Sequence, residues 1–317
     1  MSITYRPFRN PDPPAIVRIW NECYTGRGAA YMNGTLPLEF LVLAKPYFDP
    51  QGLILAEKDG EPVGFVHAGF AAAGDGDKLC YERGIVCALA VRPQHQRQGL
   101  GRELLRRGEA YLRSRGATVI QAGQRRPLCP FYWGLLSGSE PGGILASDNG
   151  AQAFLLANGY WPGERCLIYQ RELMNLSSVP DLRFADIKRR CDLIAQPRPV
   201  SPTWFEEVVY SPLEMLEFHL VECSRGETVA QVRVWDMEHF AWRWHQPSAG
   251  IIDLVVPEAH RRKGYAKFLL AQVMRYLQEQ FYGIVEFQVP ESNVPAQRLV
   301  EGLGFVKVDE GRVFHKE

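Results

Sequence analysis

The feature that most constrains this chain is that it repeats itself. LAEKDGEPVGFV, from Leu55, resembles LVECSRGETVAQV, from Leu220. LAVRPQHQRQGLGRELL, from Leu89, resembles LVVPEAHRRKGYAKFLL, from Leu254, and DNGAQAFLLANGY, from Asp148, resembles NVPAQRLVEGLGF, from Asn293. Three matches in the same order mark a duplicated folding unit rather than chance similarity. Gly60 maps to Gly226 and Gly99 to Gly264, at offsets of 166 and 165, whereas Gly159 maps to Gly304 at 145. The first copy therefore carries about 20 extra residues, which fall in Gln124 to Ser147. A chain of 317 residues has room for two domains of ordinary size. The boundary is placed at residue 175, giving 1–175 and 176–317, with LMNLSSVPDLR (Leu173 to Arg183) as the linker.

Each copy reads as a strand, helical material, a hairpin, a strand, a helix, a strand, a helix and a strand. Asp-Pro-Pro followed by Ile16, Ile19 and Trp20 at helical spacing predicts a first helix with Asp12 as its cap. PLEFLVLAKPYF predicts a second helix broken at Pro46, and RCDLIAQP, from Arg190, is the first strand of the second copy. An apolar run, a polar turn ending in Gly-Glu and an alternating run predict the hairpin. IVCALAV (Ile85 to Val91) is continuously apolar, as a strand covered on both faces would be. The helix after it has an inward stripe of Gly101, Leu104, Leu105, Gly108 and Leu112 in one copy. The other repeats it as Ala266, Leu269, Leu270, Val273 and Leu277.

The turn into that helix carries the chemistry. It reads Gln96-Arg97-Gln98-Gly99-Leu100-Gly101 in the first copy and Arg261-Arg262-Lys263-Gly264-Tyr265-Ala266 in the second. A helix N-terminus offers unpaired N–H groups and partial positive charge, and Gly or Ala lets a ligand approach the backbone. Such a turn is a cradle for a pyrophosphate. Its spacing fits neither the dinucleotide nor the P-loop motif.

Both turns resemble the Q/R-x-x-G-x-G/A signature of the GCN5-related N-acetyltransferases (GNAT). With the strand before, the helix after and the N/D-x-x-A…GF/GY ending, the resemblance covers nearly the whole chain. It implies an α/β fold of two tandem GNAT-type domains, each a mixed, mostly antiparallel sheet flanked by helices. It also implies acetyl-CoA as co-substrate and direct attack by an acceptor amine in a ternary complex. The pantetheine arm would pair with the strand at Leu89 to Val91 and Leu254 to Val256. The pyrophosphate would lie on Arg97, Gln98, Gly99, Gly101 and Arg102, or on Arg262, Lys263, Gly264, Ala266 and Lys267. Asn293 takes the place of the family's Asn after the fifth strand, with Asp148 as its counterpart. A tyrosine that protonates the leaving thiolate in many relatives is replaced here by Leu155 and Val300.

The candidate catalytic residues are Tyr132 as an acid, with Tyr160, Tyr265 and solvent as alternatives, and Glu82 and Asp253 as bases on the two central strands. Glu286 is a weaker candidate base, Cys87 reads as core filler and His67 as structural. The insertion, rich in Gly, Pro and aromatics, is expected to roof the first copy's acceptor site. The cluster Trp235, Trp242 and Trp244 is expected at an inter-domain contact. The first copy has the fuller set of elements before its hairpin, which assigns it the chemistry. Asp253 and the ending at Asn293 and Gly304-Phe305 point to the second.

Charge narrows the partners. Lys and Arg number 36, as do Asp and Glu, so the chain has no net charge. That argues against general attachment to nucleic acid or to an anionic membrane. No run reaches the length of a membrane helix, and the N-terminus lacks the apolar segment of a secretory signal. A cytoplasmic protein is expected, monomer or homodimer. Its seven cysteines, odd in number and without CxxC spacing, read as reduced thiols, and no metal is expected. The function expected is acetyl transfer to a small amine. The alternatives are a silent acyl-CoA-binding scaffold and a protein N-acetyltransferase.

Overall fold

The computed structural model describes residues 2–74, 76–176 and 181–317. Residues 177–180 of the expected linker lie outside them. The first half runs β1 (Ile3–Pro7), α1 (Pro13–Cys23), α2 (Leu36–Leu38), β2 (Leu53–Lys58), β3 (Glu61–Ala72), β4 (Leu79–Val91), α3 (Leu100–Ser114), β5 (Val119–Ala122), β6 (Ile144–Leu145), α4 (Asn149–Ala157) and β7 (Trp161–Glu172). The second runs α5 (Arg183–Arg190), β8 (Cys191–Pro197), α6 (Trp204–Tyr210), β9 (Met215–Glu222), β10 (Glu227–Asp236), α7 (Glu238–Trp244), β11 (Ser248–Val255), α8 (Tyr265–Glu279), β12 (Ile284–Pro290), α9 (Val294–Glu301) and β13 (Val306–Lys316). No described helix is long and apolar enough to cross a membrane.

All strands join one sheet, in the order β1-β2-β3-β4-β5-β13-β7-β12-β11-β10-β9-β8, with β6 beside β13. The order shows an exchange. The last strand of the second half, β13, lies between β5 and β7 of the first. The last strand of the first half, β7, lies between β12 and β13 of the second. Each half thus completes the other's sheet, and a boundary in sequence is not a boundary in space.

The repeat predicts the local elements well. Both hairpins turn on the expected glycines, Gly60 and Gly226, at φ of +85° and +65°. Leu104, Leu105, Gly108 and Leu112 of α3 are buried, as are Leu269, Leu270, Val273 and Leu277 of α8. Asp12 differs from its expected role. It precedes α1 but makes no side-chain cap; its carboxylate instead takes Arg6, at 2.7 and 2.8 Å, and the Arg9 N–H. A guanidinium forms a stronger partner than a helix amide. The second predicted helix is a single turn, α2, running into a π-helical turn over Glu39–Leu43.

On one face of the sheet α3 and α8 cover separate apolar clusters. On the other, one cluster is continuous between the halves, from Trp20, Phe65, Phe131 and Tyr132 to Phe205, Trp235 and Phe240.

Candidate functional site

In each half the sheet opens where a parallel pair of strands parts. β4 and β5 stay paired from Arg83↔Val119 to Val86↔Ala122, and β11 and β12 from Ser248↔Ile284 to Ile251↔Phe287. Beyond those points β4 and β11 present a backbone edge to the gap. A bulge marks each opening, between His67 and Ala68 opposite β4 and between Gln231 and Arg233 opposite β11. In the second half the bulge carries Asp253 at φ +52°. This backbone conformation is rare away from glycine and is found at functional sites.

The two turns are built alike. Arg97 and Arg262 both have φ +61°, and Gly99 and Gly264 have +85° and +90°. Gly99 and Gly264 precede the first residues of α3 and α8, so the free N–H groups of both helices face outward. A side chain at Gly99 would meet nothing within 4 Å, so that cradle is open. At Gly264 a Cβ would lie 3.1 Å from the Arg183 guanidinium. Arg183 pairs with Asp181 at 2.6 Å, and Lys267 reaches the same carboxylate at 3.5 Å. The second turn thus has two cations beside its helix N-terminus, a set that fits a pyrophosphate. Gln98, Arg102 and Lys263 are exposed around the turns. Asn293 and Asp148 serve as helix caps, accepting from the N–H groups of Ala296 and Ala151.

The edges differ between halves. In the first, the Tyr24 hydroxyl lies 3.0 Å from both the N–H and the carbonyl of Leu89. Gln96 donates to the Val91 carbonyl. Both edge groups of Leu89 and the carbonyl of Val91 are thereby occupied, by side chains of Tyr24, just past α1, and of the phosphate turn. In the second half Arg261 donates to the Val256 carbonyl, matching Gln96. Among the described residues no side chain bonds the Leu254 backbone. The local difference is that α6, the counterpart of α1, has 7 residues where α1 has 11.

The faces differ too. Phe65, His67 and Gly69 of β3 correspond to Gln231, Arg233 and Trp235 of β10 by the repeat. In the first half that face is sealed. Phe131 and Tyr132 are 2% and 0% exposed, Phe131 lies on His67 at 4.4 Å, and Tyr132 stacks on Trp20. The Tyr132 hydroxyl bonds His67 Nδ1 at 3.0 Å. Burial drives the His67 pKa down to about 3 and the Tyr132 phenol up. The insertion therefore fills the first half's acceptor face rather than roofing it, because its aromatics are core residues. Cys87, buried, has its thiol pushed well up by the same desolvation. Glu82 is exposed at the closed end of the β4–β5 pair, away from Tyr132.

In the second half the same face is polar. Arg126, from the insertion, bonds Asp253 at 2.5 Å, reaches Glu206 of α6 at 3.4 Å and has Glu140 at 4.0 Å. Arg233 bonds Glu217 at 2.9 Å and lies 3.6 Å from Asp253. His219 lies beside Glu217 at 3.2 Å. The distal part of the insertion crosses β12: Ser139 N–H donates to Glu286 at 2.7 Å, and Trp235 Nε1 donates to the Ser139 carbonyl at 2.9 Å. Glu286, fully buried, also takes Arg27 and Gln170, which makes it a structural anchor between halves. Trp244 and Arg243 bond the Arg27 and Tyr24 carbonyls, so the aromatic cluster does sit at the inter-half contact, with Trp242 exposed. Sequence reasoning missed Glu140 and Arg126. Their only signal is that the insertion holds charged residues among its aromatics.

The acetyltransferase (GNAT) family pattern matches residues 14–134 and 183–305. A mycothiol acetyltransferase of Acidothermus cellulolyticus is 45% identical over 80 residues, which is 23% of this chain and 24% of that protein. The chain thus aligns with about a quarter of this relative's length. Among solved structures, a tandem GNAT protein from the clavulanic acid biosynthesis pathway superposes with a TM-score of 0.68 at 17% identity, covering 100% of this chain and 98% of that one. A GCN5-related N-acetyltransferase from Sphaerobacter thermophilus gives 0.65 at 18%, covering 99% and 95%. With the family's pattern matched in both halves and its fold shared end to end, this chain belongs to the GNAT family of acetyltransferases.

Proposed function

We propose that the protein is an N-acetyltransferase that moves an acetyl group from acetyl-CoA to the amine of a small molecule, and that its second half does the chemistry. The observation that carries the choice of half is the edge of the opened strand. An extended arm bearing amides needs free backbone partners. Leu254 offers them, whereas Tyr24 already holds those of Leu89 and Gln96 the carbonyl of Val91. The sealed face under Phe131 and Tyr132 leaves no room for an acceptor in the first half, whereas the face around Asp253 in the second carries charged groups that could orient one. Tyr132, bonded to His67 inside the core, is out of reach of an acceptor there.

In this reading Arg183 and Lys267 exchange Asp181 for the pyrophosphate. The Arg262–Lys267 turn supplies backbone N–H groups, and the Asp253 bulge re-aims the strand at the reacting carbonyl. The similarity to mycothiol acetyltransferases supports a small-molecule acceptor. So does the Arg126–Glu206 bridge from insertion to α6, which closes that side against a polypeptide.

The test compares kcat for Gly101→Trp and Ala266→Trp in an amine panel read by thiol release, with folding checked by circular dichroism. Loss of turnover in the Ala266 variant alone is expected. Loss in the Gly101 variant alone would return the chemistry to the first half. Binding of CoA without turnover of any amine would support the scaffold alternative.

A further inference from the structure

Resting on that reading, we infer that Glu140, carried by the first half's insertion, is the base that deprotonates a cationic primary amine in the second half's site. The backbone around Glu140 is fixed from both sides. Ser139 before it bonds Glu286 through its N–H and Trp235 through its carbonyl. The Glu140 carbonyl itself accepts from Gln288 at 2.7 Å. Gln288 is the first β12 residue past the point where β11 and β12 part, at Ile251↔Phe287. The Glu140 backbone is therefore anchored at the crotch of the opening, with its side chain beside Arg126. The side chain stays accessible, at 22% exposure, and shares Arg126 with the Asp253 of the bulge.

The surroundings suit a cation. Glu140, Glu206, Glu217 and Asp253 gather around Arg126 and Arg233, with Arg125 and His219 at the margin of the cluster. An ammonium entering it supplies charge that the two guanidinium groups do not. The charged groups acting on Glu140 are Arg126 and Arg125 of the insertion and Asp253 of β11, while Tyr210 of α6, Cys166 of β7 and the buried Cys129 feel its charge in turn. Desolvation, opposed by Arg126 and reinforced by Asp253, pushes its pKa up to about 7. A carboxylate poised there removes a proton far better than one at the ordinary value.

The step balances without another reactant. Glu140 takes one proton from R–NH3⁺, and the freed lone pair forms the N–C bond to the acyl carbonyl. As the C–S bond breaks, the thiolate receives the second proton from the same nitrogen, and Glu140 releases its own to solvent. Asp253, tied to Arg126 at 2.5 Å and to Arg233, holds the guanidinium beside Glu140; it acts as a positioning residue.

The experiment uses the full-length protein and two readouts. The first is turnover of a primary-amine panel with acetyl-CoA across pH, wild type against Glu140→Gln and Glu140→Asp. The glutamine variant is expected to lose 10²- to 10³-fold in kcat/KM. It should also lose the limb that rises toward pH 7, and it should bind CoA within twofold of wild type by calorimetry. The aspartate variant should restore part of the loss. Glutamine-variant turnover within threefold of wild type, with the same limb, overturns the assignment. The second readout needs no turnover: the wild-type-minus-Glu140→Gln infrared difference in the carboxyl stretch. Titration near pH 7 supports a poised base, and titration near 4 removes it. Wild type that turns over no amine would sink the reading of the second half as an enzyme, and the assignment of Glu140 with it. An infrared titration near 7 in that case would show a perturbed carboxyl without a reaction to serve.

Discussion

His67 and Glu140 sit on equivalent faces of the two halves, and burial moves both toward the neutral form, with opposite consequences. His67 has its pKa lowered to about 3, so between that value and the ordinary imidazole value the unfolded chain binds the extra proton. Stability from His67 is complete above about pH 6.5 and falls with acidification, by at most about 1.4 kcal/mol per pH unit. Glu140 has its pKa raised to about 7, so from the ordinary carboxyl value up to 7 the folded chain holds the extra proton. Its contribution is present at low pH and falls as pH rises through that window. Between about pH 4.5 and 6.5 the two slopes oppose one another. Thermal melts of Glu140→Gln should therefore climb with pH more steeply than wild type there, and melts of His67→Asn should climb less. Parallel curves for all three would refute the pairing. Tyr24 makes a separate claim at this scale. Tyr24→Phe leaves the N–H and carbonyl of Leu89 without their partner and should cost about 1–3 kcal/mol, with turnover retained. Tyr24→Ala should uncover the edge, and calorimetry should then count two CoA equivalents where wild type binds one. One equivalent in both proteins would mean that other groups, such as Gln96, close the cleft.

At the scale of elements, periodicity and repetition make the hairpins, the helix stripes and the phosphate turns legible in the sequence. All are local, and each is written twice. What the sequence hides is which half an element serves. β7 and β13 read like any last strand, and nothing in residues 161–172 or 306–316 says that each will enter the other half's sheet. Ladder partners are set by tertiary closure, which leaves no local signal. The insertion is hidden for the same reason. Phe131-Tyr132-Trp133 reads equally as lid or as core, and only its place over Gly69 and His67 decides for core. Arg126 leaves no local signal because its partners Glu206 and Asp253 lie far along the chain, and Glu140 gains its setting only through Arg126. The distinction is measurable. Phe131→Ala should destabilise the protein by about 3–5 kcal/mol and leave the acceptor KM of the folded fraction unchanged. A KM change with full stability would restore the lid.

For the whole molecule, exchanged strands and a shared apolar cluster mean that neither half closes its own structure. Without β13 the edge of β5 is bare, and without β7 nothing joins β13 to β12. The cluster on the insertion's side runs from Trp20 through Tyr132 to Phe205 and Phe240, so opening one half exposes apolar surface of the other. Lys45 of the first half also caps α6 of the second, through the carbonyls of Val208 and Val209. The two halves should therefore unfold as one cooperative unit, although a chain of this size with two domains would ordinarily show more than one transition. Ligand linkage gives the sharpest test. CoA at 100 times its Kd adds about 2.7 kcal/mol to the stability of any unit that must unfold to release it. If the halves are one unit, amides that exchange only by global opening gain the same protection on both hairpins. That includes β2–β3, which lies far along the sheet from the α8 turn. Hydrogen exchange with and without CoA reads this directly. Equal gains on β2–β3 and β9–β10 are expected. A gain confined to β9–β10 would show that the first half unfolds on its own and that the strand exchange does not couple them.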